Sequence, residues 1–239
     1  MFKIHRYLFI GLIALMIFSS AQGDLLISRS IIIFDDVLQS KEDVTVINDD
    51  PENKLFVQVK AFRVDAPGAT DEQLVSIDGD PDPTFIATPT KLIVEPGGTS
   101  LVRLLNLQTP DQTEFVYRIN FLPIAKPIEL EDNPNNETIS PNIQILIAYQ
   151  VLAIVLPLDP QPVVEMARNG KIAVFTNSGN ANYLLVAGRQ CNPLDENECL
   201  GLPSKRIYPG NSWKLELTYD GPFSYETRTH EGNRPNYYQ

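Results

Sequence analysis

Short apolar or alternating runs, with turn residues between them, constrain this chain to a β fold. The runs are rich in Ile, Val, Phe and Tyr, which favour strands, and Gly, Pro, Asn and Asp lie between them. No segment has a convincing 3.6-residue apolar period bounded by helix caps. We therefore predict an all-β protein with few helices.

Seven strands are predicted before residue 157, a number typical of an antiparallel immunoglobulin-like sandwich. They are Asp24–Phe34, Asp43–Asn48, Lys54–Val64, Phe85–Val94, Ser100–Leu107, Glu114–Phe121 and Ile143–Leu156. Three prolines then fall within Pro157–Pro162, and we predict a hinge there because proline stiffens the chain.

Beyond the hinge a second, smaller β domain is predicted. Its strands are Gly170–Thr176, Tyr183–Ala187, Ser212–Tyr219 and a weak Tyr225–Thr229. The expected domains are therefore residues 24–157 and residues 158–239.

The first 23 residues are typical of a signal peptide. A basic start precedes the apolar stretch Tyr7–Phe18, and the small residues Ala21 and Gly23 predict cleavage before Asp24. A membrane anchor is the competing interpretation, but twelve apolar residues rise only about 18 Å as a helix, short of the ~30 Å hydrocarbon core. We predict that residues 24–239 are exported without membrane insertion, to the periplasm in a bacterium.

Composition excludes several function classes for the exported chain. Without Lys3 and Arg6 it has 17 basic against 30 acidic residues, a charge of −13, and no basic cluster suited to nucleic acid. His230 is its only histidine, which excludes most hydrolytic triads and nearly all histidine-bearing metal sites. Acidic runs such as Asp78–Asp82 and Glu129–Asp132 are interpreted as solvated surface. We predict no enzymatic activity, no cofactor and no metal.

Cys191 and Cys199 are the only cysteines, and seven residues separate them. In an oxidising compartment such a pair is typical of a disulfide that closes a surface loop. A redox pair would favour a C-x-x-C spacing, and a metal site would need more ligands than two. The structural disulfide is the preferred interpretation.

Ile143–Leu156 is the segment that most needs a functional explanation. Its fourteen residues carry no charge and would span roughly 46 Å as a strand, whereas ordinary strands span about 17–20 Å. Natural proteins usually protect an uncovered apolar strand with charge or proline, and here neither is present. Either the surplus length pairs with another chain by strand addition, or the segment is a buried central strand. In the first case, one face presents Ile143, Ile145, Ile147, Tyr149 and Val151 to the partner.

The chain resembles the periplasmic chaperones of the chaperone–usher pilus pathway. The most specific piece is TPTKLIVEPGGTSLVRL at Thr88–Leu104, followed by EFVYRINF at Glu114–Phe121. In the second domain, VFTNSGN at Val174–Asn180 and IYPG at Ile207–Gly210 are similar to two turns of the family. The resemblance extends over essentially the whole mature sequence, and it implies two immunoglobulin-like sandwiches in a boomerang arrangement.

The resemblance also implies a function. In this family a pilin subunit is a sandwich that lacks its last strand, and the chaperone lends a strand to complete it. The pilin then passes to an outer-membrane usher. The lending strand corresponds to Ile143–Val151 here. The sequence leaves open which pilus is served and whether the free chaperone covers this strand by dimerising.

Several departures from the family pattern concern charged residues. The best-known members hold the pilin's C-terminal carboxylate with an arginine and a lysine, and Ile31 and Leu152 stand at those positions. Arg29, two residues from Ile31 and so expected on the same strand face, is a candidate substitute anchor, and a solvated or structural arginine is the equal alternative. The family's internal ion pair is also incomplete, with Glu114 present but Leu156 in place of its arginine partner. These departures and the Cys-closed loop are closer to the branch of alternative and class 5 pili.

A second hypothesis is a structural subunit or adhesin of a surface fibre that uses immunoglobulin-like domains. A pilin would lack its own last strand and carry an N-terminal extension of alternating apolar residues. Asp24–Phe34 could be mistaken for such an extension. Purification as a monomer rather than as a polymer separates the two hypotheses.

Overall fold

The computed structural model describes residues 25–35, 40–108, 110, 112–125 and 145–239. These residues form eighteen β-strands and no helix, which confirms the prediction of an all-β protein. None of them belongs to a helix long and apolar enough to span a membrane. The predicted signal peptide and its cleavage site before Asp24 lie outside the described residues.

Ten of the described strands fall within residues 25–155. They are β1 Leu25–Ile27, β2 Ile31–Phe34, β3 Lys41–Asn48, β4 Leu55–Asp65, β5 Gln73–Ser76, β6 Phe85–Thr88, β7 Lys91–Val94, β8 Thr99–Asn106, β9 Phe115–Pro123 and β10 Tyr149–Val155. One sheet has the order β1-β3-β8-β6, and the other has the order β2-β10-β9-β4-β5 with β7 beside β4. Their apolar faces enclose one core, in which Phe85 stacks on Tyr117.

Two of the predicted strands are each divided between these sheets. Asp24–Phe34 contributes β1 to the first sheet and β2 to the second, and Phe85–Val94 is divided in the same way into β6 and β7. In the first case Leu25 points inward at an odd position, whereas Ile32 and Phe34 point inward at even positions. The inward-facing positions change from odd to even because the two sheets face the core from opposite sides. A chain that continues from one sheet into the other therefore turns the opposite set of side chains toward the core.

The other eight described strands form the second sandwich. They are β11 Val164–Asn169, β12 Ile172–Asn177, β13 Tyr183–Asn192, β14 Asp195–Leu202, β15 Lys205–Ile207, β16 Ser212–Glu216, β17 Phe223–Thr229 and β18 Gly232–Tyr238. The sheets have the orders β11-β12-β16 and β14-β13-β17-β18, with β15 beside β13. Phe175, Leu185 and Tyr225 are fully buried between them.

The two sandwiches contact one another through a small apolar cluster and a few hydrogen bonds. Tyr208 of the second sandwich packs against Val64 and Val116 of the first. The side-chain amide of Asn211 donates to the carbonyl oxygen of Pro67 at 2.6 Å. The chain passes between the sandwiches after Val155 and before Val164, and the finer division at residue 157 stays a prediction.

Candidate functional site

β10 is the strand on which the functional hypothesis depends, and its pairing is asymmetric. Along one edge it pairs antiparallel with β9 over its full length, from Tyr149 opposite Phe121 to Val155 opposite Phe115. Along the other edge it pairs in parallel with β2, but only from Leu152 onward. Among the described residues, no strand pairs with that second edge at residues 149–151. β10 therefore has a covered end and an open end.

The predicted fourteen-residue strand is shorter in the structure. The strand begins at Tyr149, residues 145–148 are described without regular structure, and Ile143 lies outside the described residues. The antiparallel register explains the limit: continued backward, it would set Ile147 opposite Pro123, where β9 ends. Proline cannot donate a backbone hydrogen bond, and beyond it β9 offers no further partner.

Residues immediately before the open end expose large apolar side chains. The exposed fractions are 75% for Ile145, 41% for Leu146 and 44% for Ile147. Three consecutive large apolar side chains with this much exposed surface are more than the isolated exposed residues of an ordinary surface, and they favour an interaction segment. The alternative interpretation of Ile143–Leu156 was a buried central strand. It describes only the C-terminal end of this segment, where residues 151 and 153–156 are buried.

Two of the five residues predicted to contact a partner, Tyr149 and Val151, pack in or against the core of the first sandwich. Val151 has no exposed surface and belongs to the core of the first sandwich, and Tyr149 packs against the same core. The side chain of Val151 fills the protein's own interior rather than facing outward as predicted, and a contact between Val151 and a partner stays a prediction. Val151, Ala153 and Val155 share the inward face of β10.

Arg29 also differs from its expected position. It lies in the connection between β1 and β2 rather than on the strand that carries Ile31, so the two residues do not share a strand face. Its guanidinium forms an ion pair with Glu42 and donates to the carbonyl oxygen of Asp43 at 2.7 Å. These contacts favour the structural interpretation of Arg29, while its role as an anchor stays a prediction. Ile31 and Leu152 lie opposite one another in the register, side by side as apolar neighbours.

Glu114 has partners that the sequence did not predict. One carboxylate oxygen, Oε2, accepts hydrogen bonds from the backbone N–H and the side-chain amide of Asn182, at 2.9 and 2.6 Å. The other, Oε1, is buried without a hydrogen-bond partner among the described residues. Arg206 in turn donates to the side-chain oxygen of Asn182. Burial raises the pKa of Glu114 to about 7, against the lowering effects of Asn182 and Arg206.

No motif or spacing in the sequence links Glu114 to the second sandwich. Asn182 and Arg206 lie 68 and 92 positions farther along the chain, Asn182 immediately before β13 and Arg206 on β15. Only the contact between the sandwiches brings them to the carboxylate. An arginine on β15 is thus linked to Glu114 through Asn182, whereas Leu156 stands where the family pattern has the arginine partner.

The disulfide between Cys191 and Cys199 is present, as predicted. Its setting is a β-hairpin rather than an irregular surface loop, because the two cysteines lie opposite one another on β13 and β14. The guanidinium of Arg189 approaches the sulfur of Cys199 at 3.1 Å. The bond joins two neighbouring strands at one edge of the second sandwich.

Comparison with known proteins gives fimbrial relatives. No family model matches the chain. The chain is 26% identical over 180 residues to a protein of Escherichia coli named as a CFA/I fimbrial subunit, with 74% of each protein covered. It is also 26% identical over 170 residues to a protein of the same organism named as a CS1 fimbrial subunit, with 70% of each covered.

Solved structures of similar fold include fimbrial chaperones. The class 5 fimbriae chaperone CfaA is 21% identical with a TM-score of 0.59, over 90% of this chain and 99% of that one. The E. coli chaperone DraB is 16% identical with a TM-score of 0.60, over 91% and 98%. A chain of the Salmonella enterica SafA pilin–SafB chaperone complex is 12% identical with a TM-score of 0.63, over 92% and 98%. The chain therefore has the two-sandwich immunoglobulin-like fold of the fimbrial chaperones.

Proposed function

We propose that this chain is a periplasmic pilus chaperone that binds pilin subunits by strand addition and delivers them to an outer-membrane usher. The observation that carries the proposal is the open end of β10, preceded by the exposed apolar side chains of Ile145, Leu146 and Ile147. A strand added there would gain backbone hydrogen bonds from β10 and apolar contacts from those side chains. The fold shared with CfaA and with the SafA–SafB complex supports the same function.

The first sandwich argues against the alternative of a structural fibre subunit. Such a protein is expected to lack its own last strand, but here β10 fills that place and buries Val151, Ala153 and Val155. The segment that could be mistaken for an N-terminal extension is used inside the same sandwich, since β1 pairs with β3 and β2 pairs with β10. The names of the two Escherichia coli relatives refer to fimbrial subunits, and this architecture favours the chaperone interpretation for the present chain.

Co-expression tests the proposal. The protein would be produced with a pilin encoded beside its gene, and the periplasmic extract would be separated by size exclusion. We expect a soluble one-to-one complex that forms only when the chaperone is present. Pilins that stay soluble alone, or that never co-elute, would contradict the proposal.

The double substitution of Ile145→Asp and Ile147→Asp tests the site itself. Both side chains are exposed, so we expect normal folding and loss of the complex, because two carboxylates cannot enter an apolar groove without a large desolvation cost. The matched control is Ile93→Asp with Leu101→Asp. These residues are also exposed apolar side chains of the first sandwich, on β7 and β8, away from β10. Equal loss of the complex in both double variants would refute the assignment of the site.

A further inference from the structure

The second sandwich has an open groove of about 620 Å³ beside its disulfide. Arg189 and Cys191 of β13 line one side of it, and Tyr237 of β18, which is 83% exposed, lines the other. Pro193 and Pro222 also belong to the lining. The groove therefore combines a cation with apolar walls.

The strand register explains the width of this groove. Arg189 lies opposite Ser224 on β17, and Ser224 lies opposite Tyr237 on β18. Directly opposite residues share a face of the sheet, and adjacent strands are about 4.8 Å apart, so the backbones at Arg189 and Tyr237 are roughly 10 Å apart. The small side chain of Ser224 lies between them in the lining, which leaves room for a side chain of another molecule.

A β-bulge in β13 turns Arg189 toward this groove. Leu185 is fully buried, and regular alternation would point Arg189, four residues later, into the same core. The register against β17 shifts between Val186 and Arg189, and Ala187 there has a φ of 49°, which residues other than glycine rarely adopt. The extra residue exchanges the two faces, so that Gln190 is buried and Arg189 is exposed.

Arg189 differs from most other arginines of the protein in its partners. Seven of the nine arginines that the structure describes form an ion pair with a carboxylate. Arg206 donates to Asn182 instead, and the guanidinium of Arg189 approaches the sulfur of Cys199 at 3.1 Å. The whole chain has 30 acidic residues against 19 basic ones. An arginine without a carboxylate partner among the described side chains is therefore unusual here, and it favours an anionic group from another molecule.

The tip of the hairpin between β13 and β14 carries the complementary groups. Leu194 is 95% exposed, the largest fraction for any large apolar side chain that the structure describes. Asp195 is exposed too, and only its Oδ1 accepts described hydrogen bonds, both from Asn197. Pro193 lines the groove, but the two residues that follow it do not. An apolar and an acidic side chain thus stand next to a groove that suits both, and they leave it open.

We propose that a second copy of this chain docks here, with its hairpin tip in the groove. Asp195 of one copy pairs with Arg189 of the other copy, and Leu194 packs against Tyr237 and the prolines. Tip and groove adjoin at Pro193, so each copy presents both, and a two-fold symmetric dimer with two identical contacts closes on itself. The dimer leaves residues 145–147 and the open end of β10 free, and it does not rest on the proposed strand addition.

Sedimentation equilibrium of the exported protein tests the inference, over about 1 to 300 µM because a small interface gives weak binding. We expect a monomer–dimer equilibrium. Arg189→Glu, and separately Leu194→Ser, should raise the dissociation constant at least tenfold, since each change occurs twice in the dimer. Arg189→Glu combined with Asp195→Arg should restore dimerisation, because the charges are exchanged but still opposite. The control Arg234→Glu should dimerise normally, since Arg234 is an exposed arginine of the same sandwich that does not line the groove.

Each outcome decides the inference. A protein that stays monomeric at every concentration would exclude a second copy as the occupant. A combined charge reversal that does not restore the dimer, or an equal loss in Arg234→Glu, would overturn the pairing of Arg189 with Asp195. If Arg189→Glu does not fold, Asp195→Arg alone carries the same test from the other side. The double variant Ile145→Asp with Ile147→Asp should dimerise like the unmodified protein, and loss of its dimer would show that the copies meet through the segment before β10 instead.

Discussion

Replacement of Glu114 by glutamine is expected to make the protein more stable above neutral pH and to leave its stability nearly unchanged in mild acid. The carboxyl group is buried, and burial raises its pKa from 4.5 to about 7 although Asn182 and Arg206 oppose the shift. The folded protein therefore holds this proton more tightly than the unfolded chain does. As pH rises above 4.5 the unfolded chain releases the proton first, and stability falls until the folded group also ionises near pH 7.

The magnitude follows from the size of the shift. A difference of about 2.5 pKa units corresponds to about 3 kcal/mol, at 1.36 kcal/mol per unit. Glutamine keeps a carbonyl oxygen for the two donors of Asn182 but cannot ionise. We expect the variant and the natural protein to differ by less than about 1 kcal/mol at pH 5, and the variant to be more stable by about 3 kcal/mol at pH 8.

Urea unfolding at pH 5, 6, 7 and 8 measures this difference. Glu52→Gln is the matched control, since Glu52 is an exposed carboxylate of the same sandwich and its substitution should not produce a growing difference. A difference that stays constant with pH, or that favours the natural protein at pH 8, would refute the reasoning. It would mean that Glu114 is ionised in the folded state and that Arg206 compensates its charge fully.

The remaining predictions concern the disulfide and Arg29. Replacing both Cys191 and Cys199 by serine should lower the free energy of unfolding by about 2.5 kcal/mol, the loop-entropy value for their separation of 8, measured by urea denaturation. Because the hairpin belongs to the second sandwich, the variant should still form the complex with a pilin at low temperature. Arg29→Ala should cost less than about 1 kcal/mol, since the arginine of this ion pair is 45% exposed. It should also keep the complex with a pilin, and loss of the complex in a stably folded variant would restore Arg29 as the anchor.

Sequence reasoning recovered the architecture because apolar periodicity and turn residues are local signals. It divided the chain into two β regions and identified the apolar segment before Leu156, but it did not predict the sheet changes at Ser28–Ser30 and near Pro89. Those changes depend on which sheet a strand meets, and nothing local encodes that. The polar strands β14 and β18 were missed for a related reason, since their sequences alone do not favour strands and their pairing partners provide the stability.

The candidate site was predictable only in part. The apolar, uncharged run from Ile143 suggested strand addition, and the structure exposes Ile145 and Ile147 while it buries Val151. The boundary between the exposed and the buried part depends on where β2 begins to pair with β10 and where β9 ends. Both depend on tertiary structure and are not encoded locally in the sequence. The contacts among Glu114, Asn182 and Arg206 bring together residues from both sandwiches, and no spacing in a single chain reveals such a meeting.

The asymmetry of β10 has a consequence for how mutations along one strand should be interpreted. From Val151 to Val155 the inward side chains are interior to the protein, so polar replacements there should reduce the amount of folded protein. From Ile145 to Ile147 the side chains are exposed, and replacements should leave the amount unchanged while removing partner capture. Under the proposed function, the segment from Ile145 to Val155 is thus expected to be under two kinds of selection, for recognition before β10 and for folding within it. In a library of variants, abundance and binding would separate along its length, with the change of behaviour near Tyr149.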